Sequence, residues 1–229
     1  ALGDPRVTLF GTRDVGAIAD GQVHVYGRDA TIAAVRAAAR TGVVVRGHGA
    51  GLGVAFVSRG ADCAAAAEAL AHDVIAFDQR GCSSPRVALI DGDVARAESF
   101  CSALSARLAE WGGRVPRGNL SESERIESRA WRDTHAFAGR LYEGEAHAVA
   151  LAADPLGLIV GPAGRHVAVA AVDGVAMATV ALAPIARFVV AVGSDDIAAG
   201  RGMAPAHARL GPLGSMQRPP LDGPVDRRT

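Results

Sequence analysis

The sequence has no lysine: the 24 residues counted as lysine plus arginine are all arginine. Schiff-base catalysis needs a primary amine on the chain, so lysine-dependent aldolases and pyridoxal phosphate enzymes are excluded. A Walker A phosphate loop fails for the same reason. Arginine-only usage is also what a GC-rich genome produces. Aromatic residues make up only 4% of the chain, and 24 basic residues are balanced by 24 acidic ones. Neither the stacking platforms nor the basic surplus of a nucleic-acid binder is present. The three cysteines, Cys63, Cys82 and Cys101, form no C-x-x-C pair. An odd count without that spacing fits a reducing compartment better than a disulfide scaffold, and excludes a cysteine-based zinc ribbon. The seven histidines include no H-E-x-x-H and no pair four residues apart, so no metal site is expected. No apolar run reaches the roughly 18–20 residues of a membrane helix, and no signal-peptide pattern opens the chain. The first residue is Ala1 rather than methionine.

What is present can build a core. Hydrophobic residues are 49% of 229 and charged ones 21%, enough for one large domain or two small ones. The pattern predicts strands at 7–10 and 23–26, a helix over 29–39 with Ile32, Val35, Ala38 and Ala39 on one face, and strands at 43–45 and 54–57. Asp62 reads as the N-cap of an alanine-rich helix to about residue 72, followed by a buried strand at 86–90. Phe100, Leu104 and Leu108 mark a helix over 93–111, and 112–118 reads as a loop. Ser121-Glu122-Ser123-Glu124 is a capping box opening a charged helix to about Tyr142. Further strands are expected at 146–151, 157–160, 166–172 and 188–192, and an extended tail from Gly200. The alternation argues for an α/β sheet with crossovers.

Three segments can carry chemistry. In Phe77-Asp78-Gln79-Arg80-Gly81-Cys82-Ser83-Ser84-Pro85-Arg86, a cysteine follows a glycine in a loop between helix and strand. A partly exposed loop thiol can act as a nucleophile; the alternative is a small buried thiol, as expected for Cys63 and Cys101. In Arg46-Gly47-His48-Gly49-Ala50-Gly51, glycines after a strand let backbone amides approach a ligand, and His48 is a candidate base or polarising group. A tight turn with a structural histidine reads equally well. In Tyr26-Gly27-Arg28-Asp29-Ala30-Thr31-Ile32, a helix start offers free amides to a phosphate, or is an ordinary start capped by Asp29.

Taken in order, residues 25–31, Gly47-His48-Gly49, the Gln-x-Gly-Cys-x-Ser-Pro element at 79–85 and the tail at 214–223 resemble the aldehyde dehydrogenase superfamily. Within it they resemble the acyl-CoA reductase branch, the long-chain fatty acid reductases related to bacterial bioluminescence. The resemblance implies an aldehyde-dehydrogenase-like α/β fold in three parts. Residues 1–46 would be the C-terminal remnant of a cofactor-binding domain, 47–199 a catalytic domain and 200–229 an extended tail. The chain would be the C-terminal part of a longer enzyme.

The same resemblance implies that Cys82 accepts an acyl group from a thioester such as acyl-CoA, with its backbone N–H as an oxyanion donor. NADPH or NADH would supply a hydride and a fatty aldehyde would be released. Gly27, Arg28, Gly47 and Gly49 would lie along the cofactor, with His48 assisting proton transfer. Hydrolytic aldehyde dehydrogenases carry a glutamate where this chain has Gly47 or His48; without it the acyl-enzyme is protected from activated water. The family's oxyanion asparagine has no counterpart, since the sole asparagine, Asn119, lies in no matching motif. A cytoplasmic homo-oligomer, free of nucleic acid and of integral membrane segments, completes the expectation. Two alternatives stay open: a CoA-acylating aldehyde dehydrogenase running the other way, and a non-catalytic binding or assembly module.

Overall fold

A computed structural model describes residues 14–220, 222 and 225–228. The strand expected at 7–10 lies outside the described residues. The chain divides into two compact units between Ala50 and Gly51.

The described part of the first unit is a β-α-β crossover. Strand β1 (Gly21–Tyr26) leads into helix α1 (Asp29–Ala38) and then into β2 (Val43–His48), which pairs parallel with β1. Helix α1 forms because alanine dominates 30–39, and it turns Ile32 inward as the one fully buried residue of the helix. The cap is Arg28, without a side-chain hydrogen bond, so Asp29 is the first helical residue and not the N-cap expected from sequence. Its carboxylate still suits that end, where the helix dipole is positive.

The second unit is built on a seven-stranded sheet in the order β5-β6-β7-β4-β3-β8-β9. The strands are β3 (Leu52–Val57), β4 (Pro85–Asp91), β5 (Gly139–Glu143), β6 (Ala148–Ala152), β7 (His166–Val172), β8 (Val189–Ser194) and β9 (Arg209–Pro212). All pairings are parallel except β5 with β6. Parallel strands need covered faces, and the sequence supplies them with apolar residues on both sides of β3, β4, β6 and β7. Ala55, Val57, Ala88 and Ile90 face α2 (Cys63–Ile75) and α3 (Val94–Arg114), where Leu70, Val74, Phe100, Leu104 and Leu108 close the first core. Val54, Phe56, Val87 and Leu89 point the other way, into a second core with Leu182 of α5 (Gly174–Leu182) and Met203 of α6 (Ile197–Met203). Trp131, on α4 (Glu122–Ala138), covers Ala148, Ala150 and Ala168.

Several caps match the sequence reading. The Asp62 carboxylate accepts from the Ala65 amide at 2.8 Å, and Ser121 with Glu124 completes the capping box. Other expectations need correction. Helix α4 ends at Ala138, because Gly139 is extended and residues 139–143 pair antiparallel with β6 rather than continuing to Tyr142 as helix. Residues 157–160 form no strand: Pro155 opens a single 3-10 turn to Gly157, and the Ile159 carbonyl accepts from the Trp131 indole at 3.0 Å. The region from Gly200 is not simply extended either. Helix α6 runs to Met203, and β9 adds an edge strand to the sheet beside β8.

Candidate active site

The residues singled out from sequence fall into two places, one in each unit. In the first unit, Gly27, Arg28, Gly47, His48 and Gly49 gather at the carboxyl edge of β1 and β2, beside the start of α1. The Gly27 amide donates to the His48 carbonyl at 3.3 Å, joining the two strand ends. A side chain at Gly47 would strike Ile32, and one at Gly49 would come within 2.7 Å of Asp29 Oδ1, so helix and loop approach closely only with glycine at both positions. The His48 ring is buried, stacks on Tyr26 with centroids 4.4 Å apart and lies parallel to His24. His24 Nδ1 and His48 Nε2 are 2.8 Å apart, so one nitrogen donates and the other accepts. The arrangement fits a nucleotide: ligands of parallel β-α-β units sit at the carboxyl ends of the strands, and the first-turn amides of α1 have no side-chain cap.

Cys82 lies in the second unit, at the amino edge of its sheet, between α2 and β4. The turn leading to it is unusual. Phe77, Asp78 and Gln79 all have positive φ, at 54°, 49° and 60°. Such left-handed backbone costs about 1–2 kcal/mol for each non-glycine residue. Two side chains, Gln79 and the partly buried Asp78, offset that cost. Gln79 is fully buried: its amide nitrogen donates to the carbonyls of Pro85 (2.7 Å) and His166 (2.9 Å), and its oxygen accepts from the His166 amide at 2.7 Å. Asp78 accepts from the Arg165 guanidinium at 2.8 and 2.7 Å and from the Gly118 amide at 2.9 Å. Arg165 is itself only 1% exposed. Hydrogen bonds involving charged groups contribute about 1.5–3 kcal/mol each, so this set is of the size needed to hold the strained turn.

Beyond Gln79 the loop closes on itself and on β3. The Ser84 amide donates to the Gly81 carbonyl at 3.0 Å, and the Gly53 amide to the Ser84 carbonyl at 2.8 Å. Cys82 is partly buried and is a free thiol. Burial first, then the Asp226 carboxylate, pushes its pKa up. The backbone amides of Cys82 and Ser83 and the Arg228 guanidinium pull the other way. Cys101 is buried in α3, which pushes its thiol higher still, and Cys63 opens α2. Only Cys82 among the three sits on a loop. A concavity of about 840 Å³ lies elsewhere in this unit, lined by residues such as Arg117, Asn119, Arg125 and His147; Cys82 is not among its lining residues.

The supporting residues were not singled out as site residues from sequence. Gln79 belonged to the cysteine motif, but nothing in the spacing showed that it faces β7, 87 positions later. Gln217 belonged to the tail motif, and its Oε1 lies 3.4 Å from Ser84 Oγ. Asp73, Arg165, Asp226 and Arg228 carried no local signal. Within the tail motif, Leu221 and Gly223 lie outside the described residues.

Among solved structures the chain is similar to Δ-pyrroline-5-carboxylate dehydrogenase from Mycobacterium tuberculosis bound with NAD. The two are 15% identical with a TM-score of 0.60, over 83% of this chain and 40% of that one. It is similar to NADP-dependent glyceraldehyde-3-phosphate dehydrogenase from Bacillus halodurans complexed with NADP, at 12% identity and a TM-score of 0.62, over 84% and 44%. An indole-3-acetaldehyde dehydrogenase complexed with NAD⁺ matches at 14% identity and a TM-score of 0.62, over 89% and 45%. These likenesses establish an aldehyde dehydrogenase fold, and this chain spans less than half the length of each of those proteins. No curated protein matches the chain. A family model for acyl-CoA reductase (LuxC) matches residues 12–197, most of the sequence, and the chain belongs to that family.

Proposed function

We propose that the chain serves NAD(P)H-dependent reduction of a fatty acyl thioester, such as an acyl-CoA, to a fatty aldehyde through an acyl group held on Cys82. The observation that carries this reading is the Cys82 thiol, presented on a loop whose shape is fixed by Gln79 and Asp78, in a chain of the acyl-CoA reductase family. Cys82 attacks the thioester carbonyl, a new carbon–sulfur bond forms, and the carrier thiol leaves with the proton that Cys82 loses. The backbone amides of Cys82 and Ser83 favour the thiolate before attack, and the Cys82 N–H is the donor assigned to the carbonyl oxygen as charge passes to it.

A reduced nicotinamide supplies hydride when bound. Gly27, Arg28, Gly47 and Gly49 are the residues assigned to hold it, at the carboxyl edge of β1 and β2. His48, hydrogen-bonded to His24, is the imidazole of that edge that can hold or move a proton at Nε2. Once the acyl carbon is reduced, the carbon–sulfur bond breaks, the aldehyde leaves, and Cys82 takes back one proton.

Intact-protein mass spectrometry after incubation with a long-chain acyl-CoA, without cofactor, tests the reading. An acyl-sized mass gain is expected in the native chain and none in Cys82→Ser. A gain that persists in Cys82→Ser, or no gain in the native chain, overturns it.

A further inference from the structure

The C-terminal segment returns to the cysteine loop twice. First, the buried Asp73 carboxylate on α2 accepts from the amides of Gly214 (2.7 Å) and Met216 (2.9 Å). That brings Gln217 against Ser83 and Ser84. Second, Asp226, only 2% exposed, grips Arg228 with both oxygens: Nε to Oδ1 at 2.8 Å and Nη2 to Oδ2 at 2.6 Å. The Arg228 guanidinium lies against Gly51. A β-carbon there would sit 3.1 Å from Arg228 Nη2 and 3.4 Å from Cys82 Cβ, so guanidinium and cysteine flank one side-chain-free position. Asp226 and Arg228 are also the two charged groups that act on the Cys82 sulfur, with opposite signs.

We infer that the Asp226–Arg228 pair is a positioning element of the Cys82 site: Asp226 locks the Arg228 guanidinium beside the sulfur, where its positive edge stabilises the thiolate. A fork held at both oxygens keeps a fixed orientation, and a cation near a partly buried thiol has its largest effect when the sulfur becomes anionic. The same carboxylate opposes thiolate formation in the resting site, so the pair sets the balance between a guarded thiol and a reactive one. The inference rests on the proposed role of Cys82, but its test needs neither acyl donor nor cofactor, so failure of acylation leaves the test standing.

The test is the pH profile of iodoacetamide alkylation at Cys82 in the full chain, read by peptide mass spectrometry with Cys101 as an internal check of folding. Arg228→Gln is expected to move the midpoint up by about one pH unit, slowing alkylation up to about tenfold below it. Arg228→Lys keeps the charge and stays close to the native profile. Asp226→Asn moves the midpoint down. If the pair merely packed the segment, Arg228→Gln and Asp226→Asn would both expose Cys82, relieve its burial and lower the midpoint together. A common downward shift, or no shift, overturns the inference. Should Arg228→Gln unfold, as rapid labelling of Cys101 would reveal, Arg228→Lys decides. A midpoint near native supports the pair's electrostatic role and a lowered one overturns it.

Discussion

The two places that gather the sequence motifs are held by different means. The edge of β1 and β2 belongs to a unit whose described residues include two strands and one helix, with Tyr26 64% and Val44 51% exposed. The Cys82 loop belongs to a sheet covered on both faces and is pinned by side chains that are themselves buried. The first is shaped by closeness, with glycines where helix and strand approach. The second is shaped by polar anchoring of a strained turn. The contrast suits the proposed roles: a covalent step tolerates little misplacement of its nucleophile, whereas a phosphate is recognised by backbone amides that any well-formed helix start provides.

Three experiments can break or sharpen this contrast. The largest effect is expected from acid. Burial first, then the Arg132 guanidinium, push His166 down to about 3 and His147 down to about 4, from an ordinary value of 6.5. The unfolded chain therefore binds protons that the folded one refuses. Their contribution is complete above pH 6.5 and is lost as pH falls through the folded values, several kcal/mol in all. Asp73 runs the opposite way. Burial raises it to about 6 from 3.8, so its contribution is full below pH 3.8 and is lost as pH rises through 6. Urea unfolding of the second unit from pH 7 to 4 should show a net loss of stability; a flat or rising profile would contradict the burial of both imidazoles.

Next, Asp78→Ala leaves Arg165 buried without its carboxylate and is expected to cost about 3–5 kcal/mol. Unfolding at neutral pH measures the cost, and a loss under 1 kcal/mol would mean that the turn does not depend on the pair. Smallest, Ile32→Ala should cost about 2 kcal/mol, the low end for such a truncation, because a thinly covered site can collapse. Hydrogen exchange should quicken in β1 and β2 while β3 and β4 keep their protection. Equal quickening in both units would show that they unfold together.

Much of the frame was legible from local pattern. The helix of Phe100, Leu104 and Leu108, the capping box at Ser121 and the buried strand before Asp91 all rest on spacing within one element. The motif containing Cys82 could be found because glycine and proline punctuate it. Most anchors of that motif could not be found, because they act between positions far apart in the chain, such as Gln79 with His166 and Ser84 with Gln217. Arg165 stands in a glycine-rich bend that carries no local signal of burial, yet it is nearly inaccessible. The strand at Gly139 was missed because its antiparallel partner, not its own composition, turns the chain out of the helix.

The long reach of Gln79 has a consequence for the chain as it leaves the ribosome. The loop holding Cys82 is closed by the backbone of His166, and the Asp73 carboxylate waits for Gly214 and Met216. A nascent chain that has emerged through Pro85 already contains the thiol but has no means of shaping it. Synthesis must continue through β7 before the turn is braced, and almost to the last described residues before its flank is covered. The cysteine is thus translated early and enclosed late, so a product interrupted before His166 carries the thiol without the turn that holds it.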